Sequence, residues 1–161
     1  MSSFQNQNQF QQTNELGTLV LGAPNNVQSA LINPSSIATI LQNGTPVKLI
    51  TGQIGDSSGN GQALVDAITD PPNDVFFGII LYSRRQNQHS PGDTVEIATA
   101  PSEVWLEAAG TINRGDTVQA NNTGPTVTSN STSGQQEAGI AIGQCTVGQL
   151  IAIRLAPSKH A

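Results

Sequence analysis

The strongest constraint on this chain is that its most hydrophobic run returns in a paler copy. Phe77-Gly78-Ile79-Ile80-Leu81-Tyr82 is echoed by Ala138-Gly139-Ile140-Ala141-Ile142-Gly143, at an offset of 61 (139 − 78). Both runs are short and rich in β-branched residues, with turn-formers in front, which is the pattern of buried strands. A second echo links Pro91-Gly92-Asp93-Thr94-Val95-Glu96 to Arg114-Gly115-Asp116-Thr117-Val118-Gln119, at an offset of 23 (115 − 92). A glycine-aspartate corner feeding an alternating strand is a compact unit, and repeating it builds an all-β fold. With turn signals recurring at intervals of roughly 8–12 residues, the sequence predicts a β-sandwich or β-barrel of about ten short strands.

The punctuation sets the organisation. Residues 1–14, MSSFQNQNQFQQTN, form a Gln/Asn-rich segment with no core of its own, carrying Phe4 and Phe10. It reads either as a frayed terminus or as an extended N-terminal arm whose two aromatics anchor in a neighbour. Residues 15–157 read as a single β domain, and 158–161 as a loose tail. Strands are expected at Leu16–Leu21, Val27–Ile32, Pro46–Thr51, Leu64–Ile68, Val75–Tyr82, Thr94–Ala98, Val104–Ala108, Thr117–Ala120, Gly139–Thr146 and Leu150–Ala156. In Phe77–Tyr82 both faces are apolar, as in a central strand or one lying in a subunit interface. The fold has room for at most one short helix, over Asn33–Gly44, with Asn33 as N-cap, Pro34 at the first turn and Asn43-Gly44 as the stop; a looped connection is the alternative. Gly52–Gly61 reads as a flexible loop, Asn121–Gly134 as a polar hairpin with Thr126-Val127-Thr128 at its middle, and Gln86–Pro91 as a loop carrying His89.

Composition then removes whole function classes. Charged residues are 11% of the chain, against roughly 25% in an ordinary soluble domain. A polar but weakly charged surface suits packing among neighbours, where each unpaired charge carries a desolvation cost. The net charge of −5 and the scatter of six basic residues argue against nucleic-acid binding. Only Arg84-Arg85 are adjacent, placed to cap a strand edge or form an ion pair. No apolar run is long enough to span a membrane and no secretory leader is present, so synthesis in a cytoplasm without a membrane partner is expected. Cys145, the single cysteine, reads as a buried core residue. His89 and His160 with Cys145 do not make a transition-metal site, and Asp56 alone is thin for calcium. Ser90 beside His89 lacks a nucleophile elbow. Glu103 and Glu107 would share a strand face about 13 Å apart and read as outward solubilising charges. Arg114-Gly115-Asp116 is a turn before it is an adhesion motif, because Pro91-Gly92-Asp93 makes the same corner without the arginine. No enzyme, cofactor or metal is expected.

The order of these motifs carries a resemblance. Gln42-Asn43-Gly44-Thr45-Pro46-Val47-Lys48-Leu49, then Asp74-Val75-Phe76-Phe77-Gly78-Ile79-Ile80, the two glycine-aspartate corners, Ala138-Gly139-Ile140-Ala141 and Gly148-Gln149-Leu150-Ile151-Ala152-Ile153 together resemble the capsid decoration, or cement, proteins of tailed bacteriophages, over roughly residues 40–156. The resemblance implies a non-catalytic virion protein on the outer capsid surface. Its partner would be the major capsid protein, and it would act as a homo-oligomer, a trimer, clamping adjacent shell subunits against internal DNA pressure. Phe4, Phe10, Tyr82, Arg84 and Arg85 are the candidate contact residues, and Trp105 is assigned to the core. The alternative reading is a head-fibre base or a receptor- or glycan-binding β module using loops 52–61 and 121–134.

Overall fold

The computed structural model describes residues 15–36, 41–54, 63–70, 74–121, 125–129 and 137–156, with the backbone alone over 51–54. These residues contain twelve strands and no helix: β1 (Val27–Ile32), β2 (Leu41–Gln42), β3 (Pro46–Ile54), β4 (Ala63–Ala67), β5 (Phe76–Ile80), β6 (Gln88–His89), β7 (Thr94–Ala98), β8 (Glu103–Ala108), β9 (Thr117–Ala120), β10 (Thr126–Ser129), β11 (Gly139–Ala141) and β12 (Leu150–Leu155). The all-β expectation is met, and of its two forms the barrel is the right one, built twice. One closed barrel runs β1-β4-β3-β5-β7 and the other β8-β10-β9-β11-β12, with β2 and β6 as a separate pair.

The barrels share one wiring. In each, the first and third strands in sequence pair in parallel, β1 with β4 and β8 with β10. Every other pairing is antiparallel. The corners match as well. Gly44 N–H donates to Ile80 O (2.7 Å) as Gly115 N–H does to Ala141 O (2.8 Å), and Gly92 donates to Ile32 O as Gly148 does to Ala108 O, both at 2.9 Å. Gly78 and Gly139 therefore occupy equivalent places on the fourth strand of each barrel, and the first sequence echo is a true structural one. The second echo is local. Gly92 opens the fifth strand of its barrel and Gly115 the second strand of the other. They look alike because each sits at φ near +88° in a four-residue turn whose aspartate carboxylate accepts the turn's first N–H, Ser90 to Asp93 (2.8 Å) and Asn113 to Asp116 (2.9 Å).

The interior of the first barrel is Ala30, Ile32, Val47, Val65, Ala67, Ile80, Val95 and Ile97. That of the second includes Val104, Leu106, Val118, Val127, Ile151, Ile153 and Leu155, and it is joined by Ile68, Phe76, Ile79 and Ala98 from the first. Strand β5 is thus apolar on both faces for a definite reason: Ile80 points into its own barrel, and Ile79 into the other. The connection between barrels is pinned by Ser102, whose hydroxyl accepts Asn26 N–H (2.7 Å) and whose carbonyl accepts Leu155 N–H (2.8 Å).

Four local expectations are corrected. Asn33 does not cap a helix: its amide donates to Asp66 (3.2 Å) while its Oδ1 accepts Ser35 N–H, a local turn that competes with helix, and Leu41-Gln42 pairs with β6. Residues 37–40 lie outside the described part. Strand β3 runs on through Gly52-Gln53-Ile54, which pairs with Ala63, where a loop was expected. The last-but-one strand stops at Ala141 rather than Thr146. Trp105 is half-buried on the outer face of β8, because Val104 and Leu106 take the inward positions.

Gly78 and Gly139 lie against their neighbouring strand. A Cβ on Gly78 would sit 2.5 Å from Ala98 O and from Ile97 Cγ2, and one on Gly139 would overlap Arg154 O. Gly78→Ala and Gly139→Ala should each lower stability by about 1–3 kcal/mol. Gly143→Ala, with open space at that position, should be near neutral. Urea midpoints of the three variants check this.

Candidate functional site

Glu15-Leu16-Gly17-Thr18 and Val20-Leu21-Gly22-Ala23 are two more turns of the same kind, with Gly17 and Gly22 at φ +83° and +78°. The stretch they bound is a strap, where a full strand was expected at Leu16–Leu21. Leu19 bridges Val104 antiparallel. Gly17 N–H donates to Trp105 O, Trp105 N–H to Thr18 O, and Val20 N–H to Glu103 O. On its other side Gly17 O accepts Tyr82 N–H (2.9 Å). The strap therefore ties the outer strand edge of the second barrel to the chain leaving β5 of the first.

Tyr82 stands at this junction. It walls three clefts, one of about 390 Å³ with Leu21, Ala23 and Glu96, one of about 450 Å³ with Glu15, Asn43 and Leu150, and one of about 240 Å³ with Arg85 and His89. Its hydroxyl bonds the Glu15 carboxylate, and that bond, then the carboxylate's charge, raises the phenol above its ordinary value of 10.0. Arg84 and Arg85 follow on the same loop, both exposed. Neither has an ion-pair partner among the described residues, which leaves the other expected role, at the strand's edge.

A buried polar clip holds this loop. His89 is not on a loop but in β6, and it is buried. Asn43 Nδ2 donates to His89 Nε2 (2.9 Å) and to Leu81 O (3.3 Å), while Asn43 Oδ1 accepts Ser83 N–H (3.3 Å). Burial pushes the imidazole below its ordinary range, with Asp93 partly opposing.

Of the five candidate contact residues, Tyr82 lies at the barrel junction and Arg84 and Arg85 follow it on the same loop; Phe4 and Phe10 lie outside the described residues. Glu15, where the arm begins, is the group bonded to Tyr82, and the sequence carries no signal for that pairing. The Asn43–His89 clip was hidden too, because Asn43-Gly44 also reads as a helix stop. Glu103 is not a free surface charge: it is buried and accepts Arg154 Nη2 (2.6 Å) and Nε (2.9 Å) across the β8–β12 ladder. Cys145 is buried, and burial raises its thiol. Among the described residues no three His, Cys, Asp or Glu side chains lie together as metal ligands would.

Residues 4–156 match a family described as structural cement protein (E217 gp24/Pam3 gp6). The chain belongs to this phage cement family. It is accordingly a phage structural protein of the virion, with a role in the capsid. No curated protein matches the chain in sequence. Among solved structures, it is similar in fold to the head fiber gp8.5 N base of bacteriophage phi29, with a TM-score of 0.51 at 13% identity, over 86% of this chain and 99% of that one.

Two titrations test the junction. Tyr82 is the single tyrosine, so its phenolate absorbance is read without interference. Its midpoint should lie above 10.0 and fall back toward that value in Glu15→Gln. For His89, the unfolded chain takes up a proton near pH 6.5 and the folded chain only below that. Stability should therefore be full above about pH 6.5 and fall as the pH drops through the folded value, a slope that His89→Gln removes. Urea midpoints from about pH 7.5 to 5.5 measure it.

Proposed function

We propose that the protein cements the outer surface of a phage head, bridging adjacent major capsid protein subunits and stiffening the shell against internal DNA pressure. It acts as a homo-oligomer, a trimer, and its capsid contacts are Tyr82, Arg84 and Arg85 with Phe4 and Phe10 of the arm. The observation that carries this reading is the junction itself: Tyr82, whose hydroxyl bonds Glu15, and the exposed Arg84 and Arg85 follow one another on one loop. That loop combines exposed cations with an amphipathic phenol, residue types enriched in interface anchors. Many modest contacts of this kind, made to several subunits at once, add through multivalency, and none needs a reactive group. The strap and the shared core support the role by making two small barrels resist load together.

The phi29 likeness favours a second reading, a base on which a head fibre stands. Adding the protein back to heads that lack it separates the two. Under the cement reading, bound heads withstand heat and low salt that burst bare heads. Under the fibre-base reading, binding leaves head stability unchanged. Removing residues 1–14, or making Arg84→Ser with Arg85→Ser, should each weaken attachment roughly tenfold, about 1.4 kcal/mol, with the thermal unfolding of the free protein unchanged. Full occupancy by both variants contradicts the assignment of this edge.

A further inference from the structure

The shared wiring of the two barrels makes the contact between them a template. In it, the outer wall of the first barrel, centred on Ile79 of β5, lies against the end of the second barrel where β8 begins and β12 ends; Ser102 and Leu155 meet there. Each half of that contact has a counterpart elsewhere on the molecule. The counterpart of Ile79 is Ile140 on β11, since each is one residue past the equivalent glycines Gly78 and Gly139. Ile79 is fully buried, whereas Ile140 is 50% exposed. The counterpart of the covered barrel end is the end of the first barrel where β1 and β5 begin. There Val75 directly precedes β5 and Leu49 lies one rung beyond the Lys48–Phe76 pair, while Val27, paired through Ala98 with Ile79, continues the outer wall. Val75 and Leu49 are 38% and 39% exposed. Three of the seven exposed large hydrophobics among the described residues therefore fall on the two counterpart faces.

We infer that these two faces bind each other between copies: the Ile140 wall of one molecule covers the Leu49–Val75 end of the first barrel in a second. The contact repeats the intramolecular one head to tail. The wall differs from its template in a telling way. Phe76 is replaced by Glu137 and Ala98 by Arg154 at the equivalent positions, so the isoleucine keeps an apolar centre inside a charged rim. A permanent contact within one chain tolerates an apolar margin, while a surface that must also exist free in water needs a polar one. A head-to-tail contact is heterologous, so it closes into a ring when its rotation allows and otherwise extends. This gives the proposed oligomer a specific interface and needs no capsid for its test.

Sedimentation velocity of the full chain alone, from about 1 to 300 µM, is the experiment. Wild type should self-associate. Ile140→Asp and Val75→Asp should each be monomeric at concentrations where wild type is not, with unchanged circular dichroism; Ile140→Thr, which keeps strand propensity, should raise the dissociation constant about tenfold. An equimolar mixture of Ile140→Asp and Val75→Asp should give a dimer and nothing larger, because each supplies the face that the other has lost. A wild type monomeric throughout, or an Ile140→Asp and Ile140→Thr pair that both assemble normally, overturns the inference. Monomers that still bind heads would leave the cement reading standing, and oligomers that ignore heads would remove that reading while keeping this one.

Discussion

A five-stranded barrel with strands of three to nine residues encloses few side chains, and everything else in this molecule follows from how it escapes that limit. The first barrel's interior holds few aliphatic side chains and leaves an apolar outer wall; the second is open at one end. Setting Ile68, Phe76, Ile79 and Ala98 against that end merges the wall with the second interior. At roughly 25 cal/mol per Å² of apolar surface removed from water, such a merger is worth far more than any surface ion pair. It also fixes how the barrels lie, because a wall registered against a barrel end cannot slide without exposing isoleucine and phenylalanine.

The polar contacts take their positions from that arrangement. The strap Glu15–Val20 is held because β8 offers an unfilled edge beside the junction, and Tyr82 is held because Gly17 lies within reach of the chain leaving β5. Asn43 and His89 then fix the loop that carries Arg84 and Arg85. Lys48 and Asp74 show the same economy on the first barrel's surface. Burial pushes the Asp74 carboxyl up, but the Asp70 N–H, the Lys48 ammonium and the Thr69 N–H outweigh it and hold it below its ordinary value. Core sharing, rather than size, is what holds the two barrels together.

Much of this was legible in the amino-acid order. The Phe-Gly-Ile-Ile run and its copy mark equivalent strands, and the Gly-Asp corners mark turns, since both signals are local: alternation for strands, positive φ for glycine, an aspartate that accepts its own turn's N–H. What the sequence does not encode locally is partner choice. Nothing in Phe77–Tyr82 says that its second apolar face meets another barrel of the same chain rather than a sheet or a subunit. Likewise Trp105 was assigned inward on hydrophobicity alone, although its neighbours Val104 and Leu106 fix the opposite parity. His89 seemed a loop residue because β6 is two residues long, too short for any periodicity. At the site, Tyr82, Arg84 and Arg85 were found as chain neighbours; Glu15, sixty-seven positions before Tyr82 (82 − 15), was not.

On the proposed reading this two-barrel unit meets the capsid along the edge that carries the strap, Tyr82 and the arginine pair. A cryo-EM reconstruction of the phage head carrying the protein shows directly which surface does so. Tyr82, Arg84, Arg85 and residues 1–14 should lie in density against capsid protein, with each copy touching at least two shell subunits. A map in which that edge faces solvent, and a different surface of the barrels meets a single shell subunit, would contradict it.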